Sequence, residues 1–130
     1  MDNERRGRLN KNRGDNFERI CEQRPSELGF TLLAKRIDRT HCRGTSKPDL
    51  EYIQFPSIKP DCKFTEGRFT RTEKEQLMKE AVDKYGDGAI LIIGEKHDRT
   101  RLNKNEIYVY FPNHTMMYYD RYLEYLEGLK

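Results

Sequence analysis

The sequence predicts an α/β domain in which helices flank a mixed central β-sheet. Apolar side chains recur at helical spacing near the start, in the middle and at the end of the chain, and short alternating or wholly apolar segments lie between them. Helices interspersed with strands bury their apolar surfaces as layers around one sheet. A chain of 130 residues has the length of one such domain.

The first residues differ from the rest in composition. Residues 1–14 contain five Lys or Arg and two acidic residues, which leaves a net charge of +3. We predict a flexible basic arm over residues 1–12, able to meet a phosphate backbone or another anionic surface, and a single domain over residues 13–130. A solvated tail would have the same composition.

The domain is predicted to begin with a helix and a strand. The helix starts between residues 12 and 15, and Pro25 should end or kink it because proline cannot donate the helical hydrogen bond. Residues 30–38 form the first predicted strand. Residues 39–48 are rich in basic and turn-forming residues, which predicts a loop.

Residues 49–55 and 58–65 are predicted to pair as an antiparallel hairpin. Such a hairpin would place Asp49 opposite Asp61, with Cβ atoms roughly 4.5–5.5 Å apart. Two carboxylates at that distance repel, and a divalent cation such as Mg²⁺ would compensate because it takes carboxylate and water oxygens as ligands. Pro60 cannot donate to a sheet ladder, so we expect a bulge or a register shifted by one residue there.

The second half of the domain is predicted to contain two helices and two strands. Thr72 and Glu75 resemble a capping box that opens the middle helix. Residues 89–94 are wholly apolar, which predicts a central strand covered on both faces. Residues 106–111 alternate and predict a last strand, and a terminal helix should follow from about Met116.

Cysteine content and hydropathy indicate where the protein works. The three cysteines are an odd number, and the N-terminal residues are charged rather than apolar, which argues against a secreted disulfide-bonded domain. No apolar run approaches the roughly 20 residues that cross a bilayer. We expect a cytoplasmic protein without a membrane partner, in the host cytoplasm if the chain is viral.

A lysine completes the group of residues that suggests a catalytic site. Lys63 should point to the same face of its strand as Asp61, because alternate strand residues share a face. An ammonium there can orient or deprotonate a water and can stabilise charge on a phosphate. Asp61-Cys62-Lys63 is the only triplet of an acid, any residue and lysine in the chain. Such a triplet alone is usually a solvated strand face, but Asp49 on the partner strand favours a phosphodiester-hydrolysing site.

Pro48-Asp49 followed by Asp61-Cys62-Lys63 resembles the motif of the PD-(D/E)XK nuclease superfamily. The resemblance covers about residues 13–95 and implies a restriction-endonuclease-like fold. It further implies hydrolysis of DNA phosphodiester bonds with Mg²⁺, for which Mn²⁺ should substitute. Members commonly carry another acid on the first helix, and Glu18 matches that position.

Within the superfamily, the chain is most similar to archaeal-type and phage Holliday junction resolvases. The similar features are the small size, the early Glu18, the loop at residues 43–46 and the helix that carries Gln76. Those enzymes are homodimers that cut four-way junctions in DNA recombination and repair. Many of them have Glu where this chain has Asp61, which is one methylene shorter.

The predicted site therefore has catalytic, metal-binding and DNA-contacting members. Glu18, Asp49 and Asp61 are the predicted metal ligands, and Lys63 joins them in catalysis. Predicted DNA contacts come from Arg13, Arg43, Lys47 and Gln76.

Each assignment has a plainer alternative. Glu18 and Gln76 also fit solvated helix faces, and Arg43 and Lys47 a basic surface loop. For the whole protein, the alternatives are another structure-specific, nicking, restriction or repair nuclease, or a catalytically inactive nucleic-acid-binding module. A structural domain whose acids form surface salt bridges is the remaining alternative.

Overall fold

The computed structural model describes residues 3–37, 47–96 and 106–130, with side chains described from residue 14 onward. The described chain forms an α/β fold in which helices flank a mixed four-stranded sheet, as the sequence predicted. Its helices are α1 (Asn3–Glu27), α2 (Arg71–Tyr85) and α3 (Tyr119–Leu129). Its strands are β1 (Ala34–Arg36), β2 (Leu50–Tyr52), β3 (Lys59–Glu66), β4 (Ala89–Lys96), β5 (Ile107–Tyr110) and β6 (Met116–Tyr118). None of these helices has the length and apolar content of a membrane span.

The four-stranded sheet has the order β3-β4-β5-β6. Strands β3 and β4 are parallel, and α2 makes the crossover between them, while the other two pairs are antiparallel. In the parallel pair, Asp61 lies beside Leu91 and Lys63 beside Ile93. Side chains that are neighbours across a ladder share a face, so these four lie on one side of the sheet.

Strand β4 is buried on both faces, as its apolar sequence predicted. Ile90 and Ile92 belong to a core cluster under α1 and α3, whereas Leu91 and Ile93 belong to a second cluster under α2. Alternate strand residues point to opposite faces. The sheet therefore separates two apolar layers, one on each side.

The predicted hairpin between residues 49–55 and 58–65 differs from the structure. Strand β2 forms its ladder with β1, in which Arg36 lies beside Leu50. Its link to β3 is a backbone hydrogen bond from Asp49 N to Pro60 O, 3.1 Å long. Pro60 has no N–H to return this bond, which explains why the exchange that starts an antiparallel ladder is incomplete here.

Pro60 itself causes no bulge, contrary to expectation. Strand β3 keeps one continuous register with β4 from Lys59 to Glu66. The carbonyl of Pro60 and the N–H of Cys62 both face Asp49. Pro60 therefore lacks an N–H on the side of β3 that faces Asp49. The parallel ladder with β4 is on the other side of β3 and loses no hydrogen bond. The contact with Asp49 is shifted by one residue, from position 61 to position 60.

Helix α1 is longer than the sequence predicted at both ends. It begins at Asn3, so residues 3–12 are helical where we expected a flexible arm, and it passes Pro25 to end at Glu27. Proline in a helix leaves the carbonyl four residues earlier without its usual donor. That carbonyl, of Cys21, instead accepts a 2.9 Å hydrogen bond from the Tyr119 hydroxyl. The α3 side chain thus compensates for the proline.

Two local assignments in the second half of the chain were wrong. Thr70 and Glu73, rather than Thr72 and Glu75, form the capping box of α2, with reciprocal hydrogen bonds of 3.1 and 3.0 Å. Residues 116–118, expected to begin the terminal helix, form β6 beside β5, and α3 begins only at Tyr119. Pairing with β5 fixes residues 116–118 as a strand, because a short segment can adopt either a strand or a helix in the absence of a neighbouring strand.

A carboxylate on α3 holds the segment that leads into β1. Glu127 accepts hydrogen bonds from the backbone N–H groups of Thr31 and Leu32, at 3.1 and 2.9 Å. Desolvation alone would raise its pKa, but these bonds, together with those from the Thr31 hydroxyl and Lys130, lower the pKa to about 2. The ionised form is therefore the one that the fold stabilises.

We predict that the contribution of Glu127 depends on pH. A carboxyl whose pKa is lowered on folding stabilises the protein fully above its unfolded value of 4.5, and the stabilisation is lost as the pH falls towards about 2. Denaturant unfolding from pH 6 to pH 2 should show the wild type more stable than Glu127→Gln at pH 6, with the difference shrinking in acid. A difference that stays constant with pH would contradict this.

We also predict that Gly94→Ala destabilises the protein. A Cβ at Gly94 would lie 2.5 Å from Cε1 of the buried Phe17 ring. Overpacking of this kind should lower the free energy of unfolding by about 1–3 kcal/mol, measured by denaturant titration. Gly128→Ala is the control, because its Cβ meets nothing within 4 Å. Equal stabilities of the two variants would show that the Phe17 contact is relieved without cost.

Candidate active site

Asp49 and Asp61 lie together at the edge of β3, as the sequence predicted. Asp49 N–H donates to Asp61 Oδ1 at 3.2 Å, and Cys62 N–H donates to Asp49 Oδ2 at 2.8 Å. Both residues are buried, with 8% and 5% of their surface exposed. Buried carboxylates are uncommon unless their charge is compensated, so this pair is the most unusual polar feature near β3.

The backbone of Asp49 is held from both sides. Its carbonyl accepts a 3.1 Å hydrogen bond from Ile37 N–H, which follows β1, and its own N–H reaches Pro60 O on β3. The residue thus joins the two-stranded pair to the four-stranded sheet. These two backbone hydrogen bonds fix the main chain from which the Asp49 carboxylate projects.

Lys63 completes the predicted group on the face of β3 that lies towards α2. Asp61 and Lys63 alternate along the strand and lie beside Leu91 and Ile93, both of which pack in the cluster under α2. Lys63 is only partly buried. A lysine in such a position usually packs its stem against the domain and keeps its ammonium near solvent.

Tyr85 is a member of the site that the sequence analysis did not single out. Its hydroxyl lies 3.0 Å from the carbonyl oxygen of Lys47 and 3.4 Å from Asp61 Oδ1. It stands at the C-terminal end of α2. A crossover helix returns its last turn to the start of the preceding strand, and that topology was the available signal for its position.

Glu18 is half-buried on α1 and lies near Cys62. Burial raises the pKa of the Cys62 thiol well above its ordinary value, the Cys21 thiol adds to the increase, and the charges of Glu18 and Asp61 contribute further. Across the described ranges, no three acidic, cysteine or histidine side chains are grouped as a metal site. The structure thus gathers two of the predicted ligands, and Glu18 is not grouped with them.

The predicted DNA-contact residues are spread over the molecule. Lys47 is exposed two residues before Asp49. Gln76 is exposed on α2 and donates to Glu80 at 3.1 Å, roughly 13 Å along the helix from Tyr85. Arg43 and the side chain of Arg13 lie outside the described residues. Their roles stay predictions.

The donor chemistry of the carboxylate pair fits a hard divalent cation. Mg²⁺ is commonly held by one or two carboxylates, with waters completing its shell. An ionised carboxylate offers about four acceptor positions, so bonds from backbone N–H groups are compatible with cation binding. The same bonds orient the carboxylates, as outer hydrogen bonds do for metal ligands.

Comparison with known proteins adds no family to this description. The chain matches no protein-family model, no curated protein and no solved structure. The fold and the site define an α/β domain with two buried, adjoining aspartates and a lysine on one strand.

Proposed function

We propose that this chain is a divalent-metal-dependent DNA endonuclease with a restriction-endonuclease-like fold. The observation that carries the proposal is the closeness of two buried aspartates, in which Asp49 N–H donates to Asp61 Oδ1, with Lys63 on the same strand face as Asp61. This is the arrangement that the PD-(D/E)XK resemblance leads one to expect.

The carboxylate pair is better explained by function than by stability. Removing a carboxylate from water is costly, and both Asp49 and Asp61 are buried. A domain selected for stability alone gains little by burying two neighbouring acids, since neutral residues of similar size would avoid the cost of desolvation. A cation-binding role accounts for the pair.

The chain's own residues supply binding, orientation and charge. Asp49 and Asp61 would hold Mg²⁺, which when bound activates a water and polarises a phosphoryl oxygen. Lys63 presents an ammonium that orients the attacking water or offsets negative charge on the phosphate. Tyr85 positions Asp61 through its hydroxyl, and Lys47 offers a cation for the phosphate backbone.

The proposed substrate is branched DNA, cut as a four-way junction by a homodimer. This step rests on the resemblance of the residue pattern to junction resolvases. Two equivalent sites related by a two-fold axis are what a symmetric cut requires. Related substrates such as flaps, nicked duplexes or plain duplexes would use the same chemistry.

Metal binding can be tested without any DNA. A ligand at 100 times its dissociation constant that binds only the folded state should raise the free energy of unfolding by about 2.7 kcal/mol. We expect Mn²⁺ or Mg²⁺ to stabilise the wild type in this way and to have little effect on Asp61→Asn. Asp83→Asn, an exposed position on α2, is the control. An equal gain in all three proteins would refute the assigned site.

Cleavage tests the activity itself. The protein should be incubated at equal concentrations with a synthetic four-way junction, a flap, a duplex and a single strand, each with and without Mg²⁺. We expect metal-dependent cleavage that is fastest for the junction. Asp61→Asn and Lys63→Ala should each lower the rate by at least about 100-fold, while Asp83→Asn should not change it.

The other outcomes discriminate between the alternatives. Cleavage of another substrate would support the proposed chemistry but would assign the chain to a different type of nuclease. Salt-sensitive DNA binding without turnover would identify a catalytically inactive binding module. Cleavage unaffected by Asp61→Asn would exclude the site described here.

A further inference from the structure

A second concave site lies on the same sheet face as Asp61. It is a cavity of about 700 Å³ between the start of α2, the ends of β4 and β5, and β6. Its acidic residue, Glu95, pairs with Thr65 in the parallel ladder, four residues along β3 from Asp61. At about 3.3 Å per residue, the two carboxylates are roughly 13 Å apart along the strands. Its volume is in the range of small-molecule sites.

Three cations give the rim of this cavity a positive charge. Arg68, Lys74 and Arg121 all line it, against the single carboxylate of Glu95. The Lys74 ammonium lies 5.8 and 5.9 Å from the ring centroids of Tyr108 and Tyr110. An ammonium over aromatic faces is held in place while it remains able to bind an anion. The rim therefore favours an anionic ligand.

The floor of the cavity is polar and buried. Glu95 has 8% of its surface exposed, and one of its oxygens accepts a 2.7 Å hydrogen bond from Phe69 N–H. The Tyr108 hydroxyl is buried next to Glu95, and its geometry gives it no well-formed hydrogen bond within the described residues. Burial, followed by the charge of Glu95, raises the pKa of Tyr108, so its hydroxyl stays protonated. A buried donor of this kind is normally satisfied by a ligand or a water.

Aromatic and thioether side chains form the walls. Phe69, Tyr108 and Tyr118 line the cavity together with Met116 and Met117. Tyr118 and Met116 are both 55% exposed, although they are large apolar groups. Exposed aromatic rings interleaved with cations are the usual surface on which nucleic-acid bases stack.

We propose that this cavity binds a nucleotide, with guanine as the preferred base. The base would stack against the aromatic walls and present its donor edge to Glu95, while the phosphate meets the cations of the rim. Guanine offers two adjacent N–H donors to one carboxylate, whereas adenine and cytosine offer one amino group. An acidic peptide would suit the cations but has no comparable donor edge for Glu95.

The proposal is independent of the nuclease assignment. Asp49, Asp61 and Lys63 do not line the cavity, and nucleotide binding at this site needs no metal. The nucleotide would be either a free mononucleotide or an unpaired residue of a strand. Both sources share the same chemistry, and the experiment separates them.

Calorimetric titration in the presence of EDTA tests this directly. The intact protein is titrated with dGMP, dAMP, dCMP and dTMP, with deoxyguanosine, and with a seven-nucleotide single strand that has one central guanine among thymines. We expect saturable binding with dGMP the tightest mononucleotide and deoxyguanosine at least about tenfold weaker. Tighter binding of the strand than of dGMP would identify an unpaired residue as the ligand, and the reverse a free nucleotide.

Variants assign the binding to the cavity. Lys74→Ala should weaken dGMP binding about tenfold or more, because a hydrogen bond to a charged group is lost. Lys79→Ala, an exposed lysine on the same helix, is the matched control and should leave it unchanged. Glu95→Gln should remove the preference for guanine. If that variant does not fold, the comparison of Lys74→Ala with Lys79→Ala and that of dGMP with deoxyguanosine still test whether the cavity binds a nucleotide.

Three results would overturn the proposal. The first is the absence of saturable binding by any nucleotide at millimolar concentration. The second is equal affinity for dGMP in the wild type and Lys74→Ala. The third is tighter binding of a polyglutamate peptide than of dGMP, which would assign the cations to an acidic protein partner.

Discussion

The attachment of Asp49 to strand β3 is the constraint on which the proposed active site depends. In an ordinary hairpin, backbone ladders would fix the distance between the two acids. Here Pro60 cannot return a hydrogen bond, and the Asp49 carboxylate bonds to Cys62 N–H instead. The side chain that positions the segment is therefore also a proposed ligand, so local structure and function rest on the same atoms.

Much of the fold could be predicted from hydrophobic periodicity. Residues 89–94 of β4 are wholly apolar, and the burial of this strand on both faces followed directly from that. The close approach of Asp49 and Asp61 was also predicted, although through a ladder that does not form. Asp49 and Asp61 still lie close together because the turn between β2 and β3 brings their segments together, although β2 pairs with β1. Closeness in sequence therefore predicted that these two segments meet, but it did not predict the strand with which β2 pairs.

The features that the sequence did not predict depend on contacts between distant segments. Helix α1 passes Pro25 because Tyr119, far along the chain, supplies the missing donor to Cys21. Strand β6 exists because β5 is beside it. Tyr85 joins the candidate site because the crossover returns α2 to the start of β3. A local propensity argument cannot identify such partners, because they lie far away in the sequence. The assignment of Glu18 as a metal ligand came instead from the family resemblance, which does not say where α1 places its side chain.

Helix α2 begins beside the cavity and ends beside Asp61, and both places lie on the same face of the sheet. Phe69 precedes the helix and Lys74 stands in its first turn, both beside the cavity, and Tyr85 stands at its last turn beside Asp61. A helix of this length moves as a nearly rigid body, so a shift of one end displaces the other. A nucleotide that shifted the start of α2 on binding would be linked to the geometry at Asp61, and by reciprocity a ligand at either place would alter the affinity of the other.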